Sequence, residues 1–240
     1  MNEDDPQHAV PVERPYPRAA GRPQSWNLVL GGVSLAVLVV ASLAAQAELT
    51  SVEVRIFRAV NGLPEALNPV VWPFMQYGTF ITIPVLAVIA LLFRRPRLAL
   101  ALTLAGVGVY LLALATKQIV ERGRPGALLT AVEGREVFAA ESLGFPSGHA
   151  AVAAALTVVV AAHLSRRWVI AALALGAIVV LGRMYVGAHL PLDVIGGAAL
   201  GALAGSIVNL IVRPDRARRQ VVAPRPPPDA ETRPDDRTVR

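Results

Sequence analysis

Three short polar clusters interrupt an otherwise strongly apolar chain, and their residue types are those that handle anions and protons. Lys117 and Arg124 stand seven apart, with Pro125 directly after the arginine; Ser147, Gly148 and His149 follow Pro146; and Arg183, His189 and Asp193 punctuate the run from Gly182 to Gly197. A charged group at mid-bilayer costs about 2.5–3.5 kcal/mol on insertion scales, so ionisable residues at the edges of apolar segments are functional candidates. Pro191 suits the first turn of a helix, which places His189 just before that helix and Asp193 inside its first turn. A carboxylate four residues from an imidazole can take its N–H and leave the other ring nitrogen as nucleophile or base. Ser147 stands where a helix N-cap belongs, Gly148 allows close backbone approach, and free N–H groups at a helix start attract anions. Each cluster also has an ordinary reading on its own: a lysine snorkelling at a span end beside a loop arginine, a serine cap with an incidental histidine, or a His/Asp pair that only satisfies a helix start.

The elements that position these clusters follow from composition. The chain has 240 residues, of which 54% are apolar, with a mean hydropathy of +0.52. These values belong to a polytopic membrane protein, all-α and built as one bundle. The net charge is +6, but aromatics make up only 5% and no basic stripe is interleaved with them, so nucleic acid is not the expected partner. No cysteine is present, which excludes thiol chemistry and cysteine metal sites. Arginine outnumbers lysine 22 to 1, so the single lysine, Lys117, stands out.

In chain order, residues 1–25 and 213–240 are rich in Pro, Arg and acids and read as disordered tails. Between them, 26–212 reads as a domain of six transmembrane helices, with spans at about 26–47, 74–93, 98–116, 146–164, 168–187 and 190–212. The pattern Val52, Ile56, Phe57, Val60 predicts a short helix lying on the membrane. Lys117 follows the third span, and a polar loop runs from Gln118 to Phe145. Pro125 disfavours helix at Arg124, so the chain leaves the helix there. Gly197, Gly201 and Gly205 lie four apart on the last span and predict close approach of a neighbouring helix within the bundle. Sixteen of the 23 basic residues fall on the face that carries both termini, which predicts cytoplasmic tails and puts all three clusters on the outer face.

Together the clusters supply three cations, a helix-start anion nest and two histidines, one backed by a carboxylate. Phosphate matches that set best by charge and by its tetrahedral oxygens. His8, in the N-terminal tail, and His163, at the far end of the fourth span, lie away from it. The outer acids Glu133, Glu136 and Glu141 form no ligand cluster at metal spacing, so no metal or other cofactor is expected.

Lys-x6-Arg-Pro at 117–125, Pro-Ser-Gly-His at 146–149 and Arg-x5-His-x3-Asp at 183–193 resemble the three signature motifs of the type 2 phosphatidic acid phosphatase superfamily. The resemblance extends from about Trp26 to Val212. One position departs from it: the family usually has serine where this chain has Gly182. The resemblance implies that His189 attacks phosphorus to form a phosphohistidine, with Asp193 holding its tautomer. His149 would protonate the leaving oxygen and later activate water. Lys117, Arg124, Arg183, Ser147 and the Gly148 N–H would hold the phosphoryl oxygens, without a metal. It further implies a lipid phosphatase of the cell (inner) membrane, acting on a polyprenyl diphosphate, phosphatidylglycerol phosphate or phosphatidic acid drawn from the bilayer. A phosphotransferase using the same residues with a lipid or sugar hydroxyl as acceptor is the alternative. A non-catalytic phospholipid-binding or transport protein is a third reading, and it gives no reason for two histidines.

Overall fold

The computed structural model describes residues 24–136 and 142–212. The expected tails lie outside the described residues, except for Gln24 and Ser25, which already belong to the first helix. The described chain is helical: α1 (Gln24–Ala45), α2 (Ser51–Asn61), α3 (Asn68–Met75), α4 (Thr82–Leu92), α5 (Pro96–Val120), the single turn α6 (Pro125–Leu128), α7 (Gly148–His163), α8 (Arg166–Tyr185) and α9 (Pro191–Ile211). Four of these, α1, α5, α8 and α9, are long and apolar enough to cross a bilayer.

Two of the six expected spans take a different form. The second is broken: the helical stretch Glu65–Gly78 meets Thr82–Leu92 at a bend of 69°, and the pair makes a fifth span only if counted as one. Local bonding accommodates the break. Pro73 removes a donor inside α3, and the Gln76 carbonyl, which accepts the Thr79 N–H at 3.0 Å, also takes the Thr79 and Thr82 hydroxyls at the bend. The fourth, α7, has only 16 residues, about 24 Å at 1.5 Å per residue, against a hydrocarbon core of about 30 Å.

The bundle is built around α7 and α9. A Cβ on Gly205 would lie 2.9 Å from the Ala155 carbonyl oxygen and 2.9 Å from Val158 Cβ, and Gly197 and Gly201 press against the carbonyls of Ser147 and Ala151 in the same way. The glycine row therefore packs inside the bundle, as its spacing predicts. On α1, the buried face is small or polar (Asn27, Ser34, Ala41, Ala45), whereas Leu28, Val29, Val40 and Leu43 are exposed. Such inversion suits a lipid surround, where packing favours small residues between helices and bulky apolar ones outward. α2 is helical as its pattern predicts, capped by Thr50, whose hydroxyl accepts the Glu53 N–H at 3.1 Å. Its buried face reads Glu53, Phe57, Asn61, while Val52 and Ile56 are exposed.

Candidate active site

Helix ends do most of the positioning. α5 continues through Lys117 to Val120 and stops where Glu121 turns left-handed (φ 49°), its N–H closing on the Lys117 carbonyl at 2.9 Å. Lys117 is thus inside the last turn of the helix rather than after it, and the helix ends four residues before Arg124, earlier than Pro125 alone required. Arg124 itself is extended (φ −76°, ψ 164°), as a residue before proline should be. Ser147 caps α7, its hydroxyl accepting the Ala150 N–H at 3.4 Å. Pro191 opens α9, and Asp193 Oδ2 accepts the Leu190 N–H at 2.8 Å. Main-chain bonding joins the two helix starts, since the Ser147 N–H donates to the Asp193 carbonyl at 2.8 Å.

All eight sequence-predicted site residues come together at this end of the bundle. Lys117 Nζ donates to the Leu143 and Gly144 carbonyls at 2.7 and 3.2 Å, beside a cleft of about 480 Å³ lined by Lys117, Gln118, Glu121, Ser142 and Leu143. Arg124 donates from Nε to the Ser142 hydroxyl and from Nη1 to the Ala188 carbonyl at 3.1 Å, next to His189. Arg183 is buried and donates from Nη1 to Glu136 at 2.7 Å. His149 is half-buried and lies within electrostatic reach of Arg183, His189 and Arg124. A Cβ at Gly148 would meet nothing within 4 Å, so the start of α7 faces open space. The first N–H groups of a helix, here those of Gly148 and His149, have no intrahelical acceptor.

His189 is 2% exposed, and its Nδ1 stands 3.6 Å from Asp193 Oδ2. That separation is an ion-pair distance rather than a hydrogen bond, so the expected N–H contact is open by roughly half an ångström. Burial, then the charges of Arg183, Arg124 and Lys117, push the ring well below the usual histidine range, with a backbone contact to Gly144 opposing them in part. The ring is therefore neutral at physiological pH, the form in which it can act as nucleophile or base. Burial, then Arg183, also lowers Arg124, which as a guanidinium remains charged.

Glu53 and Arg122 were not singled out by spacing alone, yet they complete the site. Arg122 grips Glu53 in a two-point pair, Nη2 to Oε2 at 2.7 Å and Nη1 to Oε1 at 3.0 Å, and Nη1 also reaches Asp193 Oδ1 at 3.2 Å. Burial works against the Arg122 charge, but the two carboxylates outweigh it and hold its pKa above the usual arginine value. A signal was present: Glu53 is an acid on the face that carries Phe57, one turn away, and Arg122 lies inside the gap between Lys117 and Arg124.

Gly182 has a structural explanation. A Cβ there would fall 2.5 Å from Met75 Sδ and 2.6 Å from Met75 Cγ, so the α3 methionine occupies the space a serine would need. The segment from Val132 to Glu136 is strapped over the same end of the bundle. Asn61 donates to the Glu133 carbonyl and accepts its N–H, both at 2.9 Å, and Arg135 donates to the Asn61, Leu63 and Tyr185 carbonyls while covering the Tyr185 ring at 4.2 Å.

A family model described as the PAP2 superfamily matches residues 96–216. Two solved structures share the fold. LpxE of Aquifex aeolicus is 24% identical with a TM-score of 0.61, covering 66% of this chain and 95% of its own. The first transmembrane PAP2-type phosphatidylglycerolphosphate phosphatase from Bacillus subtilis is 23% identical with a TM-score of 0.64, covering 75% of this chain and 94% of its own. A search of curated proteins finds no match.

Proposed function

Because this chain belongs to the PAP2 superfamily, we propose that it is an integral-membrane lipid phosphatase that works through a phosphohistidine. The observation that carries this reading is the convergence of three motif segments on one end of the bundle, where Lys117, Arg124 and Arg183 surround a buried, neutral His189 backed by Asp193. Three fixed cations in a low-dielectric pocket suit a phosphoryl group, whose charge spreads over its equatorial oxygens in the transition state.

In the proposed reaction, His189 Nε2 attacks phosphorus and the phosphorus–oxygen bond to the lipid breaks. His149, protonated once the negative charge of the bound phosphate offsets Arg183 and Arg124 beside it, donates its proton to the departing oxygen, which leaves as an alcohol or, from a diphosphate, as a lipid monophosphate. Asp193 stabilises the positive charge that the phosphorylated ring acquires. His149, now neutral, takes a proton from water; the hydroxide attacks phosphorus, the N–P bond breaks and inorganic phosphate departs. Ser147 and the Gly148 N–H add donors at the start of α7. The cations do the charge neutralisation, so the reaction as proposed requires no metal.

The substrate class we infer is a membrane lipid bearing a terminal phosphate or diphosphate: phosphatidylglycerol phosphate, as for the Bacillus relative, a polyprenyl diphosphate or phosphatidic acid. The excess of basic residues on the face carrying the termini supports cytoplasmic tails in the cell membrane and a site facing outward. The test is phosphate release by the full chain in detergent with excess chelator, over those three lipids. Metal-independent release that disappears in His189→Ala, with acid-labile radiolabel trapped on the wild type by rapid quench, is expected. Binding of phosphate without release from any of the lipids would overturn the reading.

A further inference from the structure

Asp193 is 0% exposed, and each of its oxygens is committed. Oδ2 takes the Leu190 N–H at 2.8 Å and faces His189 Nδ1 at 3.6 Å; Oδ1 takes Arg122 Nη1 at 3.2 Å. Arg122 in turn is held by Glu53, whose Oε1 also accepts the Leu192 N–H at 3.1 Å, in the first turn of α9. Three segments distant in sequence, α2, the chain after α5 and the start of α9, thus meet in one buried cluster of two carboxylates and one guanidinium. Glu53 is 5% exposed and Arg122 6%.

Such a cluster is a poor device for stability. Removing ions from water is costly, and a packed apolar replacement is often as stable or more so. What it supplies here is direction and charge. The short two-point contact gives Glu53 the stronger share of the guanidinium, and Asp193 receives only the longer 3.2 Å contact. Asp193 is therefore held in place without being fully neutralised. Its remaining charge points through Oδ2 at His189 Nδ1, a buried ring nitrogen with no hydrogen-bond partner among the described residues.

Resting on the phosphatase reading above, we propose that Glu53 and Arg122 are positioning residues of the reaction: Arg122 fixes the Asp193 carboxylate, and Glu53 withholds enough of the guanidinium to keep Asp193 charged toward His189. When His189 bonds to phosphorus its ring becomes cationic, and closure of the 3.6 Å gap into a hydrogen bond then stabilises that cation. Neutralising Glu53 turns the Arg122 fork onto Asp193, drawing its charge away from the ring. The phosphate cations Lys117, Arg124 and Arg183 are untouched by this change, so binding should be spared.

The test compares the wild type with Glu53→Gln and Arg122→Lys, using phosphatidylglycerol phosphate in detergent. Expected for Glu53→Gln is a fall in kcat of tenfold or more, with KM and the inhibition constant of inorganic phosphate within twofold, and a slower burst of phosphoenzyme. Arg122→Lys, which keeps the charge but not the fork, should fall between Glu53→Gln and the wild type. A second readout does not depend on turnover: in protein labelled with ¹⁵N-histidine, where the chain has four histidines, the Nδ1 resonance of His189, assigned by its loss in His189→Ala, should move in Glu53→Gln. The ring also faces Arg183, Arg124, Lys117 and His149, so the melting temperature and the His149 signal are recorded as controls. A kcat within twofold of wild type, or a fall in melting temperature with KM and kcat changing together and the His189 signal unmoved, would reduce the cluster to a structural tie. Should the wild type release no phosphate from any lipid, the phosphatase reading fails, while the resonance still decides whether Glu53 acts on His189.

Discussion

Replacing Gly182 with serine, the residue usual at that position in the family, should destabilise this protein, and Met75 is the reason. The added Cβ would stand 2.5 Å from Met75 Sδ, 2.6 Å from Met75 Cγ and 3.1 Å from Val71 Cγ1. Ordinary carbon contacts are about 3.5–4.0 Å, so roughly an ångström must be found. A thioether on the surface would swing away, but Met75 is 1% exposed and packed with Tyr185, Val186 and Ala188. Overpacking of this kind costs about 1–3 kcal/mol, offset by a few tenths for leaving glycine in a helix. At about 2–4 °C per kcal/mol for a domain of this size, the melting temperature in detergent should fall by roughly 2–10 °C. The decisive assay is a double-mutant cycle. Met75→Ala alone should cost about 2–5 kcal/mol for the cavity it leaves. Gly182→Ser in that background should cost much less, because only Val71 Cγ1, at 3.1 Å, must then give way. If the serine is neutral in the native background, or costs the same in both, the assignment of Met75 as the occupant of that space is wrong.

Two further outcomes follow from the packing and the charges. Gly201→Val should fail to give folded protein by gel filtration in detergent, because its side chain would be driven into the Ala151 carbonyl at the α7–α9 contact, whereas Gly32→Val, where a Cβ meets nothing within 4 Å, should behave as wild type. His189 is held well below the usual histidine pKa by burial and three cations, while in the unfolded chain it titrates near 6.5. Its folded-state pKa is the depressed one, so the unfolded state binds more protons as pH falls, and stability is lost below about pH 6.5 at up to about 1.4 kcal/mol per pH unit. The melting temperature should therefore decline from pH 7 to pH 5 and decline less steeply in His189→Gln; equal slopes would refute the burial of a neutral ring.

Much of this was legible from local sequence. Apolar segment length fixes helices because an unpaired backbone is not tolerated in lipid, and Ser147 and Pro191 place helix starts within a residue, whereas the exit before Pro125 falls four residues earlier than the proline required. The three clusters were readable because fixed charge and imidazole are costly beside apolar runs, and their spacing matches the family. The glycine row announced a close helix contact through the absence of side chains.

What needed the tertiary structure were the relations that no spacing encodes. The second span breaks near Gly78, where a Cβ would fall 2.6 Å from the His149 carbonyl oxygen, a constraint imposed by a helix seventy residues away. Glu53 is not among the apolar positions whose pattern predicts α2. Only packing turns it inward to share Arg122 with Asp193, and only packing puts Met75 where a serine Cβ would be. Sequence determines local periodicity and helix ends, because these depend on neighbours within a turn or two. Which charge meets which is set when the helices pack, because the low dielectric of the assembled bundle leaves a buried ion few partners to choose among.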